Sequence, residues 1–425
     1  MKVYKILWVL FFSLLCHIVS AQISFNNYVI TGVTIIDVNH RIPLTSQTVV
    51  ISNNIISNIF KDGSQPIPQS FNVLRMDGKY ILPGLIDAHV HVATDPSGVD
   101  NRQHTLDVLQ RILYSGVTSV RDMAGDARTL ASLSRDAEAG DIISPNIYYS
   151  ALMAGPDFFT DPRTESSSKG AVAGTMPYMQ SVTDSTNIAL AVAEAKGTGA
   201  TGIKLYANLS VPLVNKIVAE AARQNILVWG HAWLQVAKPS DLVKAGVGGI
   251  SHSSLIIREK YDIIPSSWKD PHHDDQFWDS VTPDFSSLFT LMKDHHTILD
   301  ATLLTYKQWG KEDSTAQFSY EIGKRITIQA YKAGVIIDAG TDVDQKEFVH
   351  KEIELLVKEV GFTELDAIIA ATLNSAKALN IDTTRGTISK GKIADLLILN
   401  ENPLTNIENI ESVYLVIKNG KIFKK

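Results

Sequence analysis

Apolar and polar positions alternate in three different ways along this chain. Residues 23–80 carry short runs rich in Ile and Val, at 28–38 and 48–60, broken by the turn signal Ser52-Asn53-Asn54. Such runs between turn residues predict strands. The C-terminal end has the same character. Residues 394–399 and 413–417 read as strands, and Asn419-Gly420 predicts a hairpin before Lys421-Ile422-Phe423. Both chain ends are therefore expected to pair into one small β-sandwich, formed by residues 22–80 and 381–425. Between them, over 81–380, strand-like runs recur at 82–92, 118–123, 146–151, 202–207, 226–233, 248–253, 297–304 and 335–342. Amphipathic helical patterns at 188–196, 211–224, 316–333 and 346–360 lie among them. Eight β/α alternations predict a (β/α)8 TIM barrel of parallel strands. Two connections are long, 153–179 and 256–283, and both follow a strand. That places them on the C-terminal face of the barrel, where active sites of this fold lie.

The third pattern is at the N-terminus. Residues 1–21 place Lys2 and Lys5 before a mostly apolar run from Ile6 to Val19, and end on Val19-Ser20-Ala21. This is the order of a secretory signal. The run is short of the roughly 20 residues that span a bilayer. Cleavage after Ala21 and a secreted or periplasmic protein are expected, with a retained anchor as the alternative.

Composition narrows the chemistry. The 425 residues are 45% hydrophobic and 20% charged, ordinary globular values. The formal net charge of −6 argues against a nucleic-acid partner. Cys16 is the single cysteine and would leave with the expected signal. Thiol-based zinc and iron–sulfur sites are thereby excluded. Any metal must take nitrogen and oxygen ligands, and the chain has 12 histidines to offer.

Four of them fall at the C-terminal ends of expected barrel strands. His89 and His91 form His-Val-His on the first strand, with i and i+2 side chains on one side. His231 ends the fifth and His252 the sixth. Asp342 ends the eighth, and Lys204 lies within the fourth. Each has a plain structural alternative. The histidines can be hydrogen-bonded core residues, Asp342 a helix N-cap and Lys204 one half of an ion pair. As a set of six they point to a metal site. Arg121, Tyr206, Arg163, Lys169, His272 and His273 are further candidates for contact with a small-molecule substrate.

With these residues assembled, the chain resembles the amidohydrolase superfamily, near its imidazolonepropionase-like and Xaa-Pro dipeptidase branch. The resemblance rests on Leu82-Pro83-Gly84-Leu85-Ile86-Asp87-Ala88-His89-Val90-His91 and on Gly116-Val117-Thr118-Ser119-Val120-Arg121-Asp122. Gly386-Thr387-Ile388 and Gly391-Lys392-Ile393-Ala394-Asp395-Leu396 add to it. It implies a binuclear centre of two divalent ions, zinc being the expected metal. His89 and His91 would hold the more buried ion, and His231 and His252 the second. Lys204, carboxylated by CO2, would bridge them, with Asp342 as the eighth-strand ligand. A single-metal form without the carboxylated lysine is the alternative. The implied reaction is hydrolysis of an amide, dipeptide or cyclic amide C–N bond by a metal-activated hydroxide. Asp342 would act as general base and then acid. A lactone, a phosphotriester or ring deamination are other substrates of such a centre. A non-catalytic binding protein is the rival from another class, and it predicts lost ligands. Homo-oligomers are left open.

Overall fold

The computed structural model describes residues 27–94, 101–260, 283–343 and 348–424. The N-terminal signal, His272 and His273 lie outside the described residues.

One sheet joins the two chain ends. Its order is Lys421–Phe423, Val413–Lys418, Leu396–Leu399, Tyr80–Pro83, Asn27–Asp37, Ile42–Ser52 and Ile55–Lys61, with Asn72–Arg75 parallel to Asn27–Asp37. The join between the ends is antiparallel, Leu397 opposite Leu82 and Ile398 opposite Ile81. Period-2 side chains then feed two cores. Ile81, Leu396, Ile398, Leu415 and Ile417 pack into the sheet's own core. Leu82, Leu397, Leu399 and Val416 face the barrel core.

The barrel strands are Leu85–Val90, Val117–Asp122, Asn146–Ala154, Gly202–Leu205, Leu227–His231, Gly249–Ser251, Ile298–Asp300 and Ile337–Asp338. Each pairs in parallel with the next. Strand eight closes on strand one through Ala88 N–H to Ala339 O at 2.9 Å and Asp342 N–H to His89 O at 2.8 Å. Gly340 makes this closure possible. A Cβ there would lie 2.5 Å from both Asp300 Oδ1 and His89 Cβ. The last two strands are short, so the residues after them, up to Thr302 and Asp342, belong to the active face.

The expected helices form for local reasons. Val211–Gln224 starts at Ser210, whose hydroxyl accepts from Leu213 N–H, has Pro212 in its first turn and ends on Asn225 at φ 60°. It buries Leu213, Val214, Ile217, Val218 and Ala221, a single stripe at 3.6-residue spacing. The long connection after strand three is ordered. It contains the helix Pro162–Ser167 and a hairpin whose strand Met179–Ser181 pairs with 152–154. Among the described residues no helix is long and apolar enough to cross a membrane.

Candidate metal centre at the barrel mouth

Strand ends bring all six expected residues into one connected cluster. The ring of His89 lies 5.3 Å from those of both His91 and His252, and the rings of His231 and His252 lie 4.6 Å apart. Lys204 Nζ is 3.3 Å from His89 Nε2. Asp342 reaches His91 Nε2 at 3.1 Å and His89 Nε2 at 3.6 Å through Oδ1, and His252 Nδ1 at 3.8 Å through Oδ2. His252 and Asp342 adopt positive φ, 73° and 50°. Left-handed backbone is costly for such residues and collects at functional sites.

Burial sets the electrostatics. It lowers His89 to about 4, with the Lys204 charge adding to the effect, and His252 to about 3. His231 is held well below its ordinary value for the same reasons. These imidazoles are neutral at pH 7 and offer lone pairs. Burial opposes the charge of Asp342, but His89, His91 and His252 outweigh it and hold the carboxyl well below the usual range. Burial lowers Lys204 to about 8, with Arg121 and Arg163 lowering it further against the pull of Asp342 and Asp300.

The donor set fits a divalent ion. Among the described residues, His89, His252 and Asp342 each offer one ligand atom within 4.8 Å of the others. His231 Nε2 is buried and has no hydrogen-bond partner among the described residues. Neutral imidazoles, a carboxylate and no thiol suit zinc and its neighbours.

A pH consequence follows from the neutral histidines. A histidine that titrates near 6.5 when unfolded and near 3 when folded gains its proton on unfolding between those values. Its contribution to stability is complete above pH 6.5 and is lost as pH falls. In metal-free protein, His252→Asn is therefore expected to reduce the slope of unfolding free energy against pH. The reduction should be about 1.4 kcal/mol per pH unit between pH 6 and 4. Urea denaturation at several pH values measures it, and an unchanged slope would contradict the buried neutral state.

The remaining candidates divide. Tyr206 stands at the rim, its ring 3.8 Å from His231 and 4.3 Å from Phe158. Arg163 is half-exposed on the third-strand connection and paired with Asp161 at 2.9 Å. It lies close enough to Tyr206 and Asp342 for their charges to raise its pKa. Lys169 is exposed, and its carbonyl accepts from Arg128 at 3.0 Å. Arg121 lies beneath the cluster, 1% exposed, inside the barrel rather than on the wall of the mouth. Its Nε donates to Ala88 O at 2.6 Å, its guanidinium stacks on Trp229, and it faces Asp300 and Asp338 at 3.7 and 3.8 Å.

Sequence reasoning missed the carboxylates under the site. Asp87 accepts from the N–H groups of His89 and Thr341, both at 3.1 Å, and from the Thr341 hydroxyl at 2.9 Å, tying strand one to strand eight. Asp122 accepts from Val92 N–H at 2.7 Å and Gly125 N–H at 2.8 Å and fixes the turn that carries His91. Asp300 binds His89 directly. The signal that could have found Asp122 and Asp300 is their place at strand C-termini, the same rule that flagged His231.

Comparison with known proteins agrees with this geometry. The amidohydrolase family model matches residues 80–423. Ochratoxinase from Aspergillus niger is 27% identical over 438 aligned positions, covering 90% of this chain and 84% of that protein. A crystal structure of a Xaa-Pro dipeptidase with methionine in its active site shares the fold. Its TM-score is 0.76 at 23% identity, over 94% of this chain and 100% of that one. The crystal structure of A. niger ochratoxinase gives 0.75 at 24% identity, over 94% and 96%. Because the family match runs from the strand just ahead of the barrel to the last strand of the terminal sheet, the chain belongs to the amidohydrolase family.

Proposed function

We propose that this chain is an exported, metal-dependent amidohydrolase that cleaves the C–N bond of a small amide carrying a free carboxylate. The observation that carries the reading is the gathering of His89, His91, Lys204, His231, His252 and Asp342 at the barrel mouth, with ligand atoms of His89, His252 and Asp342 within 4.8 Å of one another. Export is supported by the signal pattern of residues 1–21. His89 and His91 would hold one divalent ion and His231 and His252 a second, with Lys204, carboxylated by CO2, between them and Asp342 as a further ligand. Such ions, zinc being the expected metal, supply a Lewis acid for the carbonyl oxygen and water of lowered pKa.

The protein's own groups do the rest. Asp342 takes up the proton released when water adds to the carbonyl carbon and returns it to the leaving nitrogen. Arg163 and Tyr206, at the rim, bind the substrate's carboxylate. Dipeptides, the substrates for which Xaa-Pro dipeptidase is named, have such a group.

The test is a panel of dipeptides, N-acyl amino acids, lactones and phosphotriesters, with metal content measured alongside. Hydrolysis of the amides, lost on chelation and restored by zinc, is expected. Faster turnover of lactones or phosphotriesters than of every amide would overturn the reading. Arg163→Ala is expected to raise KM for carboxylate-bearing amides by about 10- to 100-fold with little change in kcat, as a charged hydrogen bond is worth about 1.5–3 kcal/mol. The same substrates with the carboxylate amidated should show no difference between the two proteins.

A further inference from the structure

The turn that ends the seventh barrel strand, Asp300-Ala301-Thr302, touches two of the cluster's histidines from below. Asp300 Oδ2 lies 2.6 Å from His89 Nδ1, and its side chain is 2% exposed. The same oxygen accepts from the Ser251 hydroxyl at 2.8 Å. Thr302 Oγ1 lies 2.8 Å from His252 Nδ1 and 2.9 Å from the Ala301 carbonyl. The backbone is tied in as well, with His252 N–H donating to Asp300 O at 2.9 Å.

Hydrogen-bond bookkeeping fixes the protons. An ionised carboxylate only accepts, so His89 carries its proton on Nδ1. Its Nε2 then keeps a lone pair aimed at the cluster, where Lys204 Nζ and Asp342 Oδ1 lie at 3.3 and 3.6 Å. The Ala301 carbonyl also only accepts. Both contacts of the Thr302 hydroxyl are satisfied together when it donates to Ala301 and accepts from His252 Nδ1–H. The second histidine is then set in the same form as the first.

The turn is strained and braced. Thr302 is buried at φ 49°, ψ 46°, an unusual conformation for a β-branched residue. Leu303 and Leu304 N–H, just after it, both donate to the buried Glu352 carboxylate, at 2.9 and 2.7 Å. Glu352 sits on the helix Val349–Leu355. A strained backbone persists where its surroundings over-determine it, and here the surroundings are Glu352 on one side and two imidazoles on the other.

We propose that Asp300 and Thr302 are positioning residues, which fix the tautomer and orientation of His89 and His252 for divalent-metal binding. The inference rests on the metal-centre reading above. Carboxylate partners of metal-bound histidines typically govern metal affinity by about 10- to 100-fold, and the Thr302 hydroxyl holds His252 by the same kind of contact.

Asp300→Asn and Thr302→Val test it, the second preserving shape while removing the hydroxyl. Zinc affinity is read by chelator competition, and imidazole tautomers by 15N NMR of the metal-free proteins. Asp300→Asn is expected to bind zinc about 10- to 100-fold more weakly, and Thr302→Val several-fold more weakly. Each should lose the Nδ1–H signature of one histidine. Wild-type affinity and unchanged tautomers in both variants would overturn the proposal, even if their melting temperatures fell. If Asp300→Asn does not fold, Thr302→Val decides. A wild-type protein that binds no zinc would sink the metal reading instead, while the tautomer spectra would still judge the turn.

Discussion

Lys204→Met is expected to lower kcat/KM by about 10³-fold or more and to strip metal from the protein, while leaving the metal-free fold at least as stable. The substitution keeps most of the side chain's length and removes its amine. Lys204 is fully buried in the fourth barrel strand among His89, His231 and Asp342. A buried ammonium is costly, and burial pushes this amine down to about 8. A large neutral fraction therefore exists at mildly alkaline pH. Only the neutral amine can attack CO2. A nitrogen–carbon bond forms, one C=O electron pair moves to oxygen, and the amine releases a proton. Under the metal-centre reading proposed above, the product carboxylate would replace a cation near His89, His231 and His252 with an anionic oxygen donor. Loss of that ligand removes several kcal/mol of transition-state stabilisation. Stability should move the other way, because an apolar replacement for a buried charge is often neutral or stabilising. Initial rates, metal analysis and thermal melting separate the two effects. Full activity in Lys204→Met would exclude a role for the lysine in the centre.

The parts of the fold legible in the sequence are those written in local periodicity. The eight barrel strands could be read because each is a short apolar run between turn residues, as in Gly202-Ile203-Lys204-Leu205. The helix Val211–Gln224 announced itself through a spaced apolar stripe. His231 and His252 were legible as site residues because a strand end in a barrel has a known face. What stayed hidden depends on contacts between distant residues. Asp300 and His89 are 211 positions apart, and nothing in the local sequence links them. Arg121 shows the converse. It was a candidate for substrate contact with a structural role as the alternative, and the guanidinium turns inward, where Asp300 and Asp338, from strands seven and eight, place buried carboxyls. A cation buried beside two carboxyls has its partners already, and those partners were invisible from strand two alone. Glu352 was hidden for the same reason, since its two acceptor bonds go to a turn 48 and 49 positions away.

Asp342→Asn is expected to reduce kcat by about 10²- to 10⁴-fold, the usual scale for loss of a positioned general base, with a smaller change in KM. Asn matches Asp in size and tolerates the positive φ of 50° found there. The fold around the mouth should therefore survive, and the change is chemical. The wild-type carboxylate can accept a proton and hold it until the nitrogen leaves; an amide oxygen is too weak a base to do so. The carboxyl is held well below the usual range, so it is ionised and able to accept a proton at neutral pH. In the proposed reaction, the same oxygen would hold a proton for which it has low affinity. A base of that kind passes its proton on quickly, which suits delivery to a departing amine. Metal content separates this role from ligation. If Asp342→Asn retains its metal and loses kcat, the proton-transfer role accounts for the loss. If kcat survives and only KM rises, Asp342 holds substrate rather than the proton, and the assignment of general base fails.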